Sequence, residues 1–289
     1  MTSSFRATVM ADSVDPTGRH RLTTLELTYP RIIHAEFMTH RQFSRNAASS
    51  RAIPTATLVQ RVLDHPYVPE AFGRNQKGMQ AGEDLADDDN AAARRAWLAA
   101  RSYAVEQARE LLALGVHKQH VNRLLEPFQW YTVIVTATEW SNFLALRDHP
   151  AAQPEIQRVA RLVRAALEGS TPRSLDYGEW HMPLVPDLER LRADGLSDIT
   201  IRQISVARCA RVSYLTHHGE RDTTADLRLY CDLVDQGHMS PLEHVARPLE
   251  PGETPPPSNL VGWVQLRKTI PNEDDFGKRT GLEPARPAA

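Results

Sequence analysis

"THRQFSRNAASSR", residues 39–51, breaks the pattern of the apolar run before it, "RIIHAEFM" (31–38). It carries Arg41, Arg45 and Arg51, with His40, Asn46 and three serines, and its one large apolar side chain is Phe43. Arginine forks meet phosphates and carbonyl oxygens with directed N–H donors. The hydroxyls of Ser49 and Ser50, with the amides around them, suit a phosphate cradle. A solvated surface loop accounts for the same charges, and these residues alone leave both readings open.

The rest of the chain makes the arginines a local feature. Of 289 residues, 41% are hydrophobic and 24% charged, with a formal net charge of -2. That balance excludes a surface built to coat nucleic acid and favours a small anionic ligand. The two cysteines, Cys209 and Cys231, stand in helix-like segments without a CxxC pair, so they read as reduced core thiols. No apolar run approaches the ~18 residues of a membrane span. The start, "MTSSFRATVMADSVDP", lacks the apolar core of a signal peptide, which fits a cytoplasmic protein.

Residues 1–22 read as an irregular N-terminal segment, 23–270 as one α+β domain, and 271–289 as a loose C-terminal tail. "LTTLELTYP" alternates Leu25, Leu27 and Tyr29 with polar residues, as a half-buried strand does. Ile33, Phe37 and His40 then recur at helical spacing. Residues 73–90 form a polar loop, and a long helix is expected from Ala91 to Leu114. "WYTVIVTA" (130–137) predicts a buried strand.

"EWSNFLALR" (139–147) predicts a short helix whose apolar stripe Trp140, Phe143, Leu144 ends on Arg147. That arginine either reaches out to water or meets an anion. Further helices are expected over 154–169, over 198–214 with Asp198 as N-cap, and over 223–237. "NLVGWVQLRKTI" (259–270) has an apolar helical pattern ending in cations, like 31–41.

No GxGxxG or Walker loop is present, and neither His117/His120 nor His217/His218 has a third ligand nearby, so no metal site is expected. "HMSPLEH" (238–244) reads locally as a helix start, with Ser240 capping and Glu243 as the capping-box partner.

Together these blocks resemble the flavin-dependent thymidylate synthases, the ThyX family. The family motif is Arg-His-Arg, seven residues, then Ser; here it reads Thr39-His40-Arg41, "QFSRNAA", Ser49, with Arg51 two further on. "ARVSY" (210–214) and "GHMSPLEH" (237–244) are similar to ARVSF and GHETPFEH, "SNFLALR" (141–147) to MNFLNLR, and "NRLLEP" (122–127) to a block bearing a substrate arginine. The resemblance spans most of residues 24–270. In the family the ARVS and GHETPFEH blocks precede the Arg-His-Arg loop, whereas here they follow it. It therefore implies a ThyX-like α+β fold, an antiparallel twisted sheet flanked by helices, in a circularly permuted chain order. The two similar runs near the ends, 31–41 and 259–268, would be the scar of a trimmed tandem duplication.

The resemblance also implies a reaction: reductive methylation of dUMP at C5 by a homotetramer with FAD, methylenetetrahydrofolate supplying the carbon and NADPH re-reducing the flavin. It implies that His40, Arg41, Asn46, Ser213, His238, Ser240 and Glu243 hold the flavin. Ser49, Ser50, Arg51, Arg123 and Arg147 would hold the nucleotide, and Arg41, Ser49 and Arg147 would form the catalytic set. Ser49 is expected to orient rather than attack, because no base sits beside it in sequence.

The departures are Thr39 for the first motif arginine, Ala47 for a glutamate and Glu36 for a glutamine. An Asn-x-Arg is also lost near "TEW" (138–140). Gln265 and Arg267 are expected as replacement donors to the nucleotide. The same changes keep two other functions open: a flavoenzyme acting on another pyrimidine nucleotide such as dCMP, or transferring a hydroxymethyl group, and a non-catalytic flavin- or nucleotide-binding relative.

Overall fold

The computed structural model describes residues 4–213 and 222–278, without the side chains of Ser213 and Phe276. Its centre is a five-stranded sheet in the order β3-β4-β2-β1-β5. Strands β1 (Arg6–Val14) and β2 (Arg21–Pro30) form an antiparallel hairpin, followed by a 3₁₀ turn and the one-turn helix α1 (His34–Phe37). β3 (Ser44–Ala47) leads to α2 (Thr55–Asp64), the long α3 (Asp87–Ala113), and α4 (Lys118–Val121) with the 3₁₀ segment Asn122–Phe128 behind it. β4 (Trp130–Ala137) runs antiparallel to both β2 and β3. Then come α5 (Ser141–Arg147), α6 (Pro154–Glu168) and β5 (Arg173–Ser174), the last parallel to β1. The rest of the chain gives α7 (Leu188–Ala193), α8 (Asp198–Ala210), α9 (Thr223–Asp235), the 3₁₀ turn Ser240–His244 and the hairpin β6 (Ala246–Pro248) with β7 (Trp263–Gln265).

The two faces of the sheet are chemically different. Leu25, Leu27, Tyr29, Val133 and Val135 pack under α5 and α6, against Phe143, Ile156, Val159 and Val163. The opposite face offers Thr24, Thr28, Thr132 and Thr136, which are equally buried. So β2 is not half-buried as its alternation suggests; its polar residues are covered too, and at Thr24 the cover comes from the chain beyond β5. There the hydroxyls find partners. His181 bonds Ser13 through Nδ1 (2.9 Å) and Thr24 through Nε2 (2.8 Å). Thr24 meets Thr136 at 2.6 Å, and Thr136 meets His244 Nδ1 at 2.8 Å. Burying this polar row is tolerable because its members bond one another. It ties the turn at 240–244 to the centre of the sheet. Burial holds both histidines neutral, each with its pKa pulled down to about 3.

Several expectations need correction. The segment expected to be irregular carries β1 over residues 6–14, and a bulge between Val9 and Ala11 breaks the alternation that would have revealed it. The run at 259–268 is not a helix. It is a turn, a three-residue strand and a 3₁₀ segment (Leu266–Thr269). Gly262 there has φ 76°, and a Cβ on it would meet the His20 ring at 2.4 Å, so the hairpin closes against the β1–β2 turn. Ser197, not Asp198, caps α8 by accepting from the Thr200 N–H. Ser240 does not cap a helix: it begins a 3₁₀ turn with no side-chain cap. Cys209 is buried, but Cys231 is exposed rather than part of the core. The expected tail is anchored at its start, because Glu273 pairs with Arg267 and Lys268; residues 279–289 lie outside the described residues.

Candidate active site

β3 pairs with β4 from Ser44 opposite Thr136 to Ala47 opposite Val133, and the Ala48 N–H continues the ladder to the Thr132 carbonyl at 3.0 Å. Beyond Ala48 the chain enters a turn, closed by the Ala52 N–H on the Ser49 carbonyl at 3.1 Å. Ala47, Ser49 and Arg51 face an open cleft of about 590 Å³, while Ala48 and Ser50 face a separate inner cavity. The far wall of the cleft is His238, Ser240 and Pro241. Gly237, at φ 77°, ends α9, and the His238 N–H closes on the Leu233 carbonyl at 2.8 Å, which turns the chain back over β3. The arginine-rich segment and the Ser-Pro turn, far apart in sequence, thus face each other.

Arg45 and Asn46 complete the floor, and His117 reaches in from the turn before α4. In the sequence Arg45 is only one of the segment's three arginines and His117 only a histidine near a second one, and neither is assigned there to a ligand. Arg45 is held by the carbonyls of Phe37, Met38 and His40 at 3.3, 3.1 and 3.1 Å. Asn46 is 9% exposed. Among the described lining residues there is no carboxylate. The cleft is therefore a set of cations, hydroxyls and amides suited to an anionic, carbonyl-bearing ligand.

His40 and Arg147 form a second group beside it. Arg147 neither reaches water alone nor waits for an anion. Its Nε donates to His40 Nε2 at 3.0 Å, and its other nitrogens reach Glu36 at 3.3 Å and Thr39 at 3.4 Å. Two of the three substituted positions in the family pattern, Glu36 and Thr39, are thus partners of this arginine. Burial first, then Arg147 and Arg45, lower the His40 pKa to about 4. The ring is neutral at pH 7 and accepts at Nε2, which places its proton on Nδ1.

The remaining predicted residues are dispersed. Arg41 is exposed on the turn beyond His40. Arg123 pairs with Glu126 at 2.6 Å, and the same carboxylate accepts from Ser50 at 3.4 Å. Ser213 ends the turn Arg211–Ser213, and its side chain lies outside the described residues. Gln265 and Arg267 are not in the cleft. Gln265 is 2% exposed, and its amide nitrogen donates to Ser44, Asn259 and the Glu243 carbonyl at 3.0, 3.1 and 3.2 Å. Arg267 is paired with Glu243 at 2.6 Å and with Glu273 at 2.5 Å. Glu243 is thereby engaged as well.

An α+β fold with a donor-rich cleft at a sheet edge defines the class in general terms, and comparison with known proteins sharpens it. The model of the family described as "Thymidylate synthase complementing protein" (Thy1) matches residues 4–173. The match covers more than half of the chain, and the chain belongs to this family, as a thymidylate synthase-like methyltransferase. It takes in the 39–51 segment and ends before the 237–244 turn. No curated protein matches the chain. Among solved structures the chain is similar to the UMP/dUMP methylase PolB from Streptomyces cacaoi bound with 5-Br dUMP, at 18% identity and TM-score 0.47 over 58% of this chain and 91% of that one. The same methylase bound with 5-Br UMP gives 18% identity and TM-score 0.49 over 58% and 90%.

Proposed function

We propose that the chain methylates a dUMP-type pyrimidine nucleotide at C5, with FAD as cofactor, methylenetetrahydrofolate as carbon donor and NADPH as reductant. The observation that carries this reading is the cleft in which the 45–51 segment and the Ser-Pro turn meet. Its lining holds two arginines and no carboxylate among the described residues. That donor set suits the phosphate and the two carbonyls of a uracil nucleotide. It suits the amino group of cytosine less well, so dUMP is favoured over dCMP.

The same lining fits a flavin. His238, Ser240 and Asn46 offer donors to its polar edge and diphosphate, and the wide cleft leaves room for a ring system. A bound flavin supplies the hydride. The protein's share is to hold and orient. Arg51 and Ser49 bind the phosphate end. Arg147 stands beside the cleft, tied to His40, Thr39 and Glu36, and in this reading it meets negative charge developing on the base by giving up Glu36. Neutral His40 accepts from this arginine without competing with it for the anion.

In this reading the family's blocks, in permuted order, rebuild one cleft. A homotetramer in the cytoplasm is the expected setting, and Arg41 and Ser213 complete the flavin contacts. The test is tritium release from C5 of labelled dUMP by the purified protein with FAD, NADPH and methylenetetrahydrofolate, set against labelled dCMP. Release from dUMP is expected. Release from dCMP alone would transfer the reading to another pyrimidine. Ligand binding without NADPH oxidation in any mixture would make the chain a non-catalytic relative.

A further inference from the structure

Behind the segment that floors the cleft lies an inner cavity of about 150 Å³. Ala48 and Ser50 form its roof, and the start of β4 forms one wall with Trp130. The opposite wall is one face of α2, Leu58, Arg61 and Val62 at i, i+3 and i+4, with His65 just past the end of the helix. A cavity of this size holds roughly one benzene ring when it is apolar. This one is not purely apolar. Gln129 lines it, is 7% exposed, and its side-chain nitrogen has no hydrogen-bond partner. An unmet buried donor of this kind is a standing cost to the fold that a ligand acceptor would relieve.

Arg61 adds a second unmet demand. It is half-buried, burial alone lowers its pKa, and among the described residues no carboxylate pairs with it. The neighbouring arginines are different: Arg123 has Glu126, and Arg158 pairs with Glu70. A half-buried cation without a counter-charge and an orphan amide donor, set among Ile53, Leu58, Val62, Phe128 and Trp130 around one space, describe a ligand with a ring and an acid group.

We propose that this inner cavity is a second ligand site, separate from the cleft, which takes a small aromatic carboxylate. The ring lies between Trp130 and the apolar face of α2, and the carboxylate accepts from Arg61 and Gln129. Ser50, in the roof, joins the occupant to the segment whose other side carries Ser49 and Arg51.

Calorimetric titration of the full chain with benzoate, and with benzamide as its uncharged counterpart, tests this. Benzoate is expected to bind at millimolar concentrations or below, at least about tenfold more tightly than benzamide. Arg61→Gln should abolish that preference, and Leu58→Trp, which fills the space, should remove both ligands; thermal melts establish that each variant folds. Saturating dUMP should leave benzoate binding in place.

No benzoate binding to the wild-type chain, equal affinity for benzamide, or full binding to a folded Leu58→Trp variant would each overturn the proposal. Displacement of benzoate by dUMP would put benzoate in the cleft and overturn it too. Failure of dUMP to bind at all would sink the proposed function, while the wild-type comparison of benzoate with benzamide would still decide this site.

Discussion

Arg51 and Arg267 both belong to arginine-bearing segments that pack on the turn at 240–244, one through β3 and the other through Leu266–Thr269, yet their electrostatic surroundings are opposite. Arg51 is exposed beside a cleft whose described lining has no carboxylate. Arg267 lies between Glu243 and Glu273, with Lys268 on the same glutamate. The first segment keeps its donors for a ligand, whereas the second spends them inside the fold. A cationic run therefore marks a site only where the tertiary structure withholds the matching carboxylates, and that information is not local.

The largest expected effect concerns the turn that both segments share. His181 and His244 are buried and neutral, with pKa values of about 3 against an ordinary 6.5. The unfolded chain binds these protons first. Their contribution to stability is full above pH 6.5 and falls as the pH drops toward 3, at about 1.4 kcal/mol per pH unit for each histidine. Urea midpoints measured from pH 7 to pH 5 should show the decline, and His244→Gln should lessen it without removing it, since His181, His34 and His40 also resist protonation in the fold. A pH-independent midpoint would break the assignment of buried neutral rings.

Next comes Arg51→Ala. It should weaken dUMP binding by about 10- to 100-fold, the scale of a lost charge-assisted hydrogen bond, while Arg267→Ala leaves the affinity unchanged. Equilibrium titration compares the two, and equal losses would erase the contrast between the segments. Gln265→Leu should act on stability instead, costing about 2 kcal/mol in denaturant unfolding, because Ser44, Asn259 and the Glu243 carbonyl lose their common donor. Nucleotide affinity that fell while stability held would return Gln265 to the binding site. Smallest is Thr136→Val, about 1 kcal/mol, since it cuts the row between Thr24 and His244 but keeps the shape of the strand.

Much of the fold was legible where hydrophobic period and length agree. β4 falls on the expected 130–137, and α3, α5 and α6 lie within a few residues of their expected spans. β1 was hidden because its bulge shifts the register partway along. β3, four residues of "SRNA", carries too little apolar signal to read as a strand. The run at 259–268 was misread because a short apolar stretch fits both periods, and pairing with β6 decides between them.

At the site, the excess of donors in 39–51 was visible, as was the kinship of 238–244 to it. The commitments of Arg147, Gln265 and Arg267 were not, because each depends on a partner distant in the chain. His117 gave only the weak signal of a histidine near a second one, and its place in the cleft comes from the packing of α4.

The backbone from Ala47 to Arg51 is a partition one residue thick between two spaces. Ala48 and Ser50 belong to the inner one, and Ala47, Ser49 and Arg51 to the outer one. An inserted or deleted residue here would change which side chains reach each space, so the spacing from His40 to Ser49 is an architectural constraint before it is a chemical one.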